Sequence, residues 1–495
     1  MKLFGRKSSV GGDAIYLTVS RVAVSLIGLA TSMLLARFRT LEEFGTYSQI
    51  IMVTDLVSTI LMLGLPNSIN YFLAKAETEE EKKRFMSIYM TLSTILMAAI
   101  ALCLFCAVPM IIRYFNNPAI TAFAYVFAIY PWSSLMINSL GNTCVVYGKA
   151  NRLIIFNVFY AISTLLVLLF TKAVGMSFQQ YMALYMAVMM GFALFALGWI
   201  NKLVGAIRPL LSKRIIKEVF AFSVPMGLAS VVGTLNAELD KLVIGKFFTT
   251  EEYAIFANAA KELPVTILAT SLTAVLLPKF VRLLGRGKNE KAVEMWGYAA
   301  NLSFCFMSLI VGGFIVFAPD IMSLFYSEKY VTSGGVMVFR IYAVILLFRA
   351  IYWGIILNAT GKTKFVFYSS LLTLTLNFAG NIAFCFVIGF IGPAVSSLVV
   401  TSIMAVVQLG FSSRIIHVPF SRIMPWKKIG MYIAETALLG GVFSAVRYGV
   451  FSGISRQISI VTSIGLGIIW MILYVWINKK DLLTNWRQLN SVTYE

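Results

Sequence analysis

Charged side chains stand inside apolar stretches of this 495-residue sequence that are long enough to cross a lipid bilayer. An ionisable residue at the centre of such a helix costs about 2.5–3.5 kcal/mol, so these positions normally face a protein interior or an aqueous cavity. They are therefore the first candidates for a path that a substrate or an ion follows. The basic candidates are Arg21, Lys241, Lys261, Arg340 and Arg349, and the acidic ones are Asp55, Glu238, Asp240, Glu262 and Glu435.

The basic candidates lie at successive depths. At 1.5 Å per helical residue, Arg21 stands about 12 Å from the cytoplasmic end of its predicted span. Arg349 falls near the middle of its span, and Lys241 falls toward the outside. Because a guanidinium binds phosphate through two parallel N–H groups, this series favours an anionic substrate. Basic and acidic candidates are equally numerous, however, so the charge balance alone does not fix the sign.

A purely structural role is the open alternative for part of this set. Glu238 and Lys241 are three residues apart on one helix, where they can pair with each other. Other members lie near the ends of their spans, where they can pair or reach the membrane surface: Lys261, Glu262, Arg340 and Glu435.

A substrate or gating role is favoured for Arg21, Asp55 and Arg349, which stand deeper. Among the carboxylates, Asp55, Glu238 and Asp240 are the candidates for coupling transport to H⁺ or Na⁺.

Composition assigns the chain to the helical membrane proteins. Its residues are 59% hydrophobic and only 13% charged, whereas soluble domains carry about 25% charged residues. The mean hydropathy is +0.85. We expect an all-α polytopic protein with about 14 transmembrane helices. The predicted spans are 13–37, 45–73, 86–110, 119–147, 153–171, 180–200, 222–245, 253–281, 292–318, 334–359, 365–388, 391–412, 429–447 and 458–477.

The net charge of +20 follows from topology. Lys and Arg concentrate in alternate connecting segments, and the positive-inside rule places those segments and both termini in the cytoplasm. A nucleic-acid partner is therefore not expected. The only histidine is His417, and the five cysteines all lie within predicted spans, so we expect neither a metal site nor a cofactor.

Two halves of the sequence repeat each other. Each half contains six predicted spans, so both copies have the same orientation, as in transporters built from parallel repeats. Three matches support the repeat: Arg37–Tyr47 with Lys246–Phe256 at an offset of 209, Leu65-Pro66 with Leu277-Pro278 at 212, and Gly148-Lys149 with Gly361-Lys362 at 213.

The repeat predicts four regions. Residues 1–200 form an N-terminal lobe and residues 222–412 a C-terminal lobe. Between them, 201–221 form a basic cytoplasmic linker whose pattern from Leu210 to Phe220 predicts an amphipathic helix on the membrane surface. The last region, 413–495, adds spans 13 and 14 and a cytoplasmic tail.

A stripe of small and polar residues follows one face of the first span and recurs on the seventh. Such a face indicates contact with protein or water rather than lipid. It predicts a cavity between the lobes and adds Ser25 to the candidate substrate contacts. The stripe residues are Ala14, Thr18, Arg21, Ser25, Gly28 and Ser32, and at an offset of 209 they become Ser223, Gly227, Ser230, Thr234, Ala237 and Lys241.

The sequence contains no complete enzyme motif that we recognise. Gly361-Lys362-Thr363 resembles the end of a phosphate-binding loop, but that loop requires glycine where Ile356 stands. A membrane glycosyltransferase or polymerase is the enzyme alternative, and it would be expected to carry acidic catalytic residues on a substantial loop. The predicted connectors are all short. We therefore expect that the protein is not an enzyme.

Three motifs resemble those of Wzx-type polysaccharide flippases, in the multidrug/oligosaccharidyl-lipid/polysaccharide exporter superfamily. They are Asp240-Lys241-x-x-Ile244-Gly245, the turn Ala359–Lys364 after span 10, and Ala36–Tyr47 around the first loop. The resemblance covers about residues 10–480. It implies a two-lobed transporter with alternating access, plus two extra C-terminal helices.

The same resemblance implies a function. The substrate would be an undecaprenyl-diphosphate-linked oligosaccharide, flipped across the bacterial cell membrane for cell-surface polysaccharide synthesis, with polysaccharide assembly proteins as partners. Arg21 and Lys241 would face the cavity and contact the diphosphate or the sugars. Spans 13 and 14 resemble the helix pair that borders a lipid-tail groove in lipid II flippases. A lipid II flippase is the first alternative; a multidrug exporter of the MATE type, which normally has twelve spans, is the second.

Overall fold

A computed structural model describes residues 10–261, 266–451, 453 and 455–491, which contain helices and turns but no strand. The all-α prediction is thereby confirmed. The helices of the first copy are α1 (Val10–Phe38), α2 (Leu41–Met62), α3 (Ser68–Lys75), α4 (Glu79–Phe115), α5 (Ala124–Val146), α6 (Ala150–Ala173) and α7 (Phe178–Val204).

The second copy also has six long helices, and it has three short ones (α9, α12 and α14) where the first copy has one (α3). Its helices are α8 (Lys213–Phe247), α9 (Thr250–Ala259), α10 (Thr266–Gly285), α11 (Asn289–Val316), α12 (Ala318–Tyr326), α13 (Ser333–Phe348), α14 (Ile355–Ala359), α15 (Thr363–Ile388) and α16 (Gly392–Ile416). The extra pair is α17 (Trp426–Ala445) and α18 (Arg456–Ser491).

The chain is a multi-pass membrane protein. In the described ranges, 10 helical segments are long and apolar enough to cross a membrane, and Ala23–Phe38 and Ser333–Phe348 are shorter apolar helices. Each predicted span overlaps helical residues, but residues 63–64 of span 45–73 and 349–354 of span 334–359 are not helical, and 262–265 of span 253–281 lie outside the described residues. Fourteen crossings remains a prediction.

The connector between the copies differs from its prediction. Residues 205–212 are not helical, and α8 begins at Lys213 and continues without interruption to Phe247. Of the predicted amphipathic helix from Leu210 to Phe220, residues 210–212 are not helical, and the rest forms the beginning of α8. Pro209 disfavours helix in the residue before it, whereas no glycine or proline interrupts the ten residues after Lys213, so the helix propagates directly into the apolar run.

The first sequence match between the copies encodes a helix start. The backbone N–H of Glu43 donates to Thr40 Oγ1 at 3.1 Å, and the N–H of Thr40 donates back to the Glu43 carboxylate at 3.0 Å. Thr249 and Glu252 form the same reciprocal pair, at 3.2 and 2.9 Å. Each capping box satisfies two amides that the first helical turn leaves without partners. The repeated Thr and Glu therefore open α2 and α9 in the same way.

The third match encodes a helix end. Lys149 N–H donates to the carbonyl of Cys144 at 2.8 Å, and Lys362 N–H donates to that of Leu357 at 2.8 Å. Gly148 and Gly361 adopt φ of +62° and +74°, a left-handed conformation that a side chain disfavours. The glycine in each copy lets the chain turn sharply between consecutive long helices.

The second match, in contrast, lies in different structures. In the first copy, Leu63 and Gly64 are both left-handed, and Pro66 lies in the 3₁₀ turn Leu65–Asn67 before α3. In the second copy, Pro278 lies inside the uninterrupted helix α10.

The chain divides into two compact units. The first is Met1–Glu238 with Gly245–Ala254, and the second is Leu239–Ile244 with Ile255–Glu495.

A buried ion pair joins α12 to the turn Val446–Val450, which directly follows α17, within the second unit. Arg447 donates to both carboxylate oxygens of Asp320, at 3.1 and 2.8 Å. Ser459 and Ser463, both on α18, donate to the same carboxylate at 2.9 and 2.8 Å. Because an unpaired charge in this place would cost several kcal/mol, the network holds the extra pair against α12.

Candidate functional site

A buried carboxylate from α8 lies at the centre of a polar network in the second unit. Asp240 is 3% exposed and accepts hydrogen bonds at both oxygens. The amides of Asn377 and Asn381 donate to Oδ1 at 3.3 and 2.7 Å. At Oδ2, Ser397 donates at 2.6 Å and the hydroxyl of Tyr342 donates as well. Four donors from α13, α15 and α16 thus converge on one side chain.

Neutral groups alone provide these contacts. Among the described residues, no Lys, Arg or His forms a salt bridge with Asp240. Asn377 and Asn381 are four residues apart, so they share one face of α15 and reach the same carboxylate. Asn381 Oδ1 is buried and has no hydrogen-bond partner. The network therefore offers one carboxylate and one unsatisfied amide oxygen.

This arrangement suits a small cation or a proton. A carboxylate removed from water is stable when it is neutralised or paired, and neutral donors satisfy its hydrogen bonds without cancelling its charge. Carboxylate, amide and hydroxyl oxygens are also the ligands that hard cations prefer. The described residues contain no cluster of three His, Cys, Asp or Glu side chains that would hold a metal ion.

A second polar region is a cavity of about 260 Å³ in the first unit. Asp55 on α2 is exposed to it and is hydrogen-bonded by the hydroxyl of Tyr130 on α5. The cavity is wide enough for several water molecules, and its wall combines this carboxylate with hydroxyl and amide groups. Its other polar lining residues include Ser58, Thr59, Asn67, Ser134, Asn138 and Ser230.

The small-residue stripe on α8 borders this cavity. Ser230 lines it directly, and Gly227 lies against the left-handed turn at Leu63 and Gly64. A Cβ on Gly227 would lie 2.1 Å from the carbonyl carbon of Leu63, so the two backbones meet where no side chain fits. Glycine at this position of the stripe allows backbone contact within the first unit.

Two predicted cationic residues come together in the second unit. Lys261 and Arg349 line the same small cavity, which Tyr342 also lines. Tyr342 is the residue that donates to Asp240, so this cavity adjoins the carboxylate network. Arg340 points elsewhere, since its Nε donates to the carbonyl of Ile315 at 3.0 Å.

The remaining candidates are more scattered. Lys241 and Glu238 are half-buried on α8, and Ser25 is exposed on α1. Arg21 belongs to α1, but the structure does not describe its side chain. Glu262 lies outside the described residues. Glu435 accepts a hydrogen bond from Asn478 at 3.1 Å, which links α17 to α18.

The partners of Asp240 were missed in the sequence. Tyr342, Asn377, Asn381 and Ser397 are neutral, and neutral polar residues are common in membrane helices. The available signal was the spacing of the two asparagines, which puts two amides on one face of an apolar helix. Arg447 was also missed, because it stands at the end of its predicted span.

One protein-family model matches the middle of the chain. The model described as polysaccharide biosynthesis protein matches residues 34–334, which is more than half of the sequence.

Two curated relatives match over shorter stretches. The capsular polysaccharide biosynthesis protein CapF of Staphylococcus aureus is 25% identical over 164 residues, covering 32% of this chain and 40% of the relative. The probable low-salt glycan biosynthesis flippase Agl15 of Haloferax volcanii is 17% identical over 227 residues, covering 46% and 47%. The chain thus spans less than half the length of each of these two relatives.

Solved structures share the fold across most of the chain. The lipid II flippase MurJ, in an inward closed conformation, superposes with a TM-score of 0.71 at 16% identity, covering 95% of this chain and 100% of that one. An inward-facing multidrug resistance MATE family transporter of the MOP superfamily superposes with a TM-score of 0.64 at 17% identity, covering 81% and 98%. Identities this low establish the fold alone.

Proposed function

Because the chain belongs to the polysaccharide biosynthesis protein family, we propose that it flips a lipid-linked oligosaccharide across a cell membrane. The family match over residues 34–334 is the observation that carries this proposal. The shared fold with transporters and the polar groups inside apolar helices support transport rather than catalysis.

The proposed substrate is an oligosaccharide on undecaprenyl diphosphate, in the plasma membrane of a bacterium, with both termini in the cytoplasm. Arg21, Lys241 and Ser25 are the proposed contacts for the diphosphate or the sugars. Lys261 and Arg349 are proposed as a second cationic pair, supported by the small cavity that they share. Arg340 is the weakest member of the set, because its guanidinium already donates to Ile315.

Asp240 is the proposed coupling group. Its carboxylate is buried with four neutral donors, so binding or releasing H⁺ or Na⁺ would change the charge of the network and the order of its hydrogen bonds. Tyr342 contacts both this network and the cavity that holds Lys261 and Arg349, which gives coupling a physical route. Asp55 and Glu238 are the other proposed coupling carboxylates.

Reconstitution tests the substrate class. The full chain is incorporated into phospholipid vesicles that contain a fluorescent lipid-diphosphate oligosaccharide in both leaflets, and an impermeant reagent then reports the fraction that changes leaflet. We expect accelerated exchange, reduced about tenfold or more by Lys241→Ala, since a lost contact to a charged group corresponds to about one decade. Lys246→Ala, at the outer end of the same helix, is the control.

Two other substrates test the alternative functions. Vesicles with fluorescent lipid II, and vesicles loaded with a cationic dye, are assayed in parallel. Exchange of lipid II alone would replace the proposed substrate by the peptidoglycan precursor. Transport of the dye alone would make the protein a drug exporter.

A further inference from the structure

An apolar groove with a volume of about 800 Å³ runs between α6 and α7, in the first unit. No predicted site residue belongs to it. Its apolar walls continue from Phe156 on α6 and Trp199 on α7 to Phe170 and Leu184 near the opposite ends of those helices. The substrate path proposed above does not require this groove.

Charge is confined to one end of the groove. Arg152 lines it beside Phe156 and is exposed, and in the described part of the chain it has no acidic partner. Four aromatic rings follow: Phe156 lies 5.6 Å from Phe192, 6.0 Å from Phe195 and 6.1 Å from Trp199, measured between centroids. A cation next to an aromatic, apolar channel fits an anionic head group attached to a hydrocarbon chain.

The groove is longer than the depth that one phospholipid leaflet fills. Arg152 and Phe170 are eighteen residues apart on α6, which corresponds to about 27 Å along a helix. Half of a bilayer core is about 15 Å, the depth that one leaflet of ordinary phospholipid fills. A single chain that follows the whole groove must therefore be longer than a phospholipid acyl chain.

A glycine in the groove wall leaves room for that chain. Gly191 lines the groove, and a Cβ built on it meets no atom within 4 Å. Glycine inside a helix costs about 1 kcal/mol relative to alanine, and no neighbouring protein atom requires it here. The space above Gly191 is open for a ligand.

We infer that the α6–α7 groove binds the polyisoprenyl chain of a lipid phosphate, with the phosphate at Arg152. The inference rests on the proposed function, since a lipid carrier is part of that substrate. It places the lipid tail on the first unit and not beside α17 and α18. The tail would remain in the membrane along α6 and α7 while the head group is transported.

Photolabelling tests the inference. The full chain in phosphatidylethanolamine–phosphatidylglycerol vesicles is exposed to a polyisoprenyl monophosphate with a diazirine in the distal third of its chain, and labelled peptides are mapped by mass spectrometry. We expect label on α6 and α7 near Leu166, Phe170 and Leu184. Gly191→Leu, which fills the groove, and Arg152→Ala are each expected to reduce this label about tenfold.

Gly441→Leu is the matched control, because Gly441 on α17 also has no atom within 4 Å of a built Cβ. Leucine is a better helix former than glycine, so both leucine variants are expected to fold, which a thermal unfolding curve checks. Label that is unchanged by Gly191→Leu and Arg152→Ala, or lost in Gly441→Leu, would overturn the inference. So would equal displacement of the probe by added phosphatidylglycerol and by unlabelled polyisoprenyl phosphate.

The labelling experiment involves no transport, so the two proposals fail separately. A chain that flips the glycan lipid without labelling in the groove refutes the groove alone. A chain that labels in the groove but flips no glycan lipid refutes the proposed function alone.

Discussion

The same helix position carries different chemistry in the two copies. In the second copy, Asp240 on α8 meets Asn377 and Asn381 on α15. At offsets of 209 and 213, the corresponding residues of the first copy are Thr31 on α1, and Thr164 and Leu168 on α6. The threonine hydroxyls donate only to carbonyls of their own helices, at 2.9 and 2.8 Å, and Leu168 is fully buried. The α8–α15 junction thus holds a carboxylate with amide donors, whereas the corresponding positions of α1 and α6 hold two threonines and a buried leucine.

The difference shows that the copies share the caps and glycine turns of particular helices but not the carboxylate at this position of the leading helix. The capping boxes and glycine turns recur because every copy of the repeat must start and end its helices. A buried carboxylate is costly in a membrane, and Asp240, unlike the buried Asp320, has no basic partner among the described residues, which is why we propose a functional role for it. The acidic residue predicted inside a span of the first copy, Asp55, lies on a different helix and lines an open cavity.

Removing the carboxylate should have the largest effect. Asp240→Ala leaves four donors facing a space without an acceptor, and we expect the free energy of unfolding to fall by about 3–4 kcal/mol. Thr31→Ala, the matched change in the first copy, should cost less than about 1 kcal/mol. Chemical denaturation in detergent micelles measures both. Equal losses would mean that the two junctions do not differ as described.

Placing a carboxylate at the corresponding position of the first copy tests whether the amide donors are what stabilise it. Thr31→Asp introduces an acid where no amide donates, and we expect a loss of about 2.5–3 kcal/mol in the same denaturation measurement. Adding Thr164→Asn and Leu168→Asn supplies the missing donors and should recover about 1 kcal/mol of it. A triple variant less stable than Thr31→Asp would show that spacing alone does not create the network.

The helix break at Gly64 distinguishes the first copy, and Gly227 tests it. Gly227→Ala forces a Cβ against the Leu63 backbone, so we expect a loss of about 2 kcal/mol. Gly233→Ala, on the same helix but in open space, should instead stabilise by about 0.5–1 kcal/mol. Thermal unfolding of both variants checks the sign of each change. Stabilisation by Gly227→Ala would contradict the close approach.

The capping boxes should give the smallest and most similar effects. Thr40→Ala and Thr249→Ala each remove one reciprocal cap, so each should cost about 1 kcal/mol. Gly45, two residues after Glu43, lies against Thr250, so the double variant measures whether the two boxes are coupled: a loss that differs from the sum would show coupling. Denaturation measures the loss of unfolding free energy in each single variant. Unequal losses would show that the two capping boxes, although similar in sequence, contribute differently to stability.

Local features of this fold were predictable, and distant contacts were not. The matches that contain Thr40, Thr249, Gly148 and Gly361 proved to be caps and turns, which depend on residues within one helical turn. The partners of Asp240 come from helices more than 100 residues away, so sequence spacing gave no access to them. The helix start at Lys213 was missed because the amphipathic pattern of Leu210–Phe220 runs directly into the apolar stretch that forms the rest of α8.

The central claim is that Asp240 couples an ion to the transport of a lipid-linked glycan. Its most direct test is the leaflet-exchange assay under an imposed H⁺ gradient and, separately, an imposed Na⁺ gradient, for the unmodified chain, Asp240→Asn and Thr31→Val. We predict that one of the two gradients changes the exchange rate of the unmodified chain and of Thr31→Val but not that of Asp240→Asn. A full gradient response in Asp240→Asn, or no response to either gradient in the unmodified chain, would contradict the account.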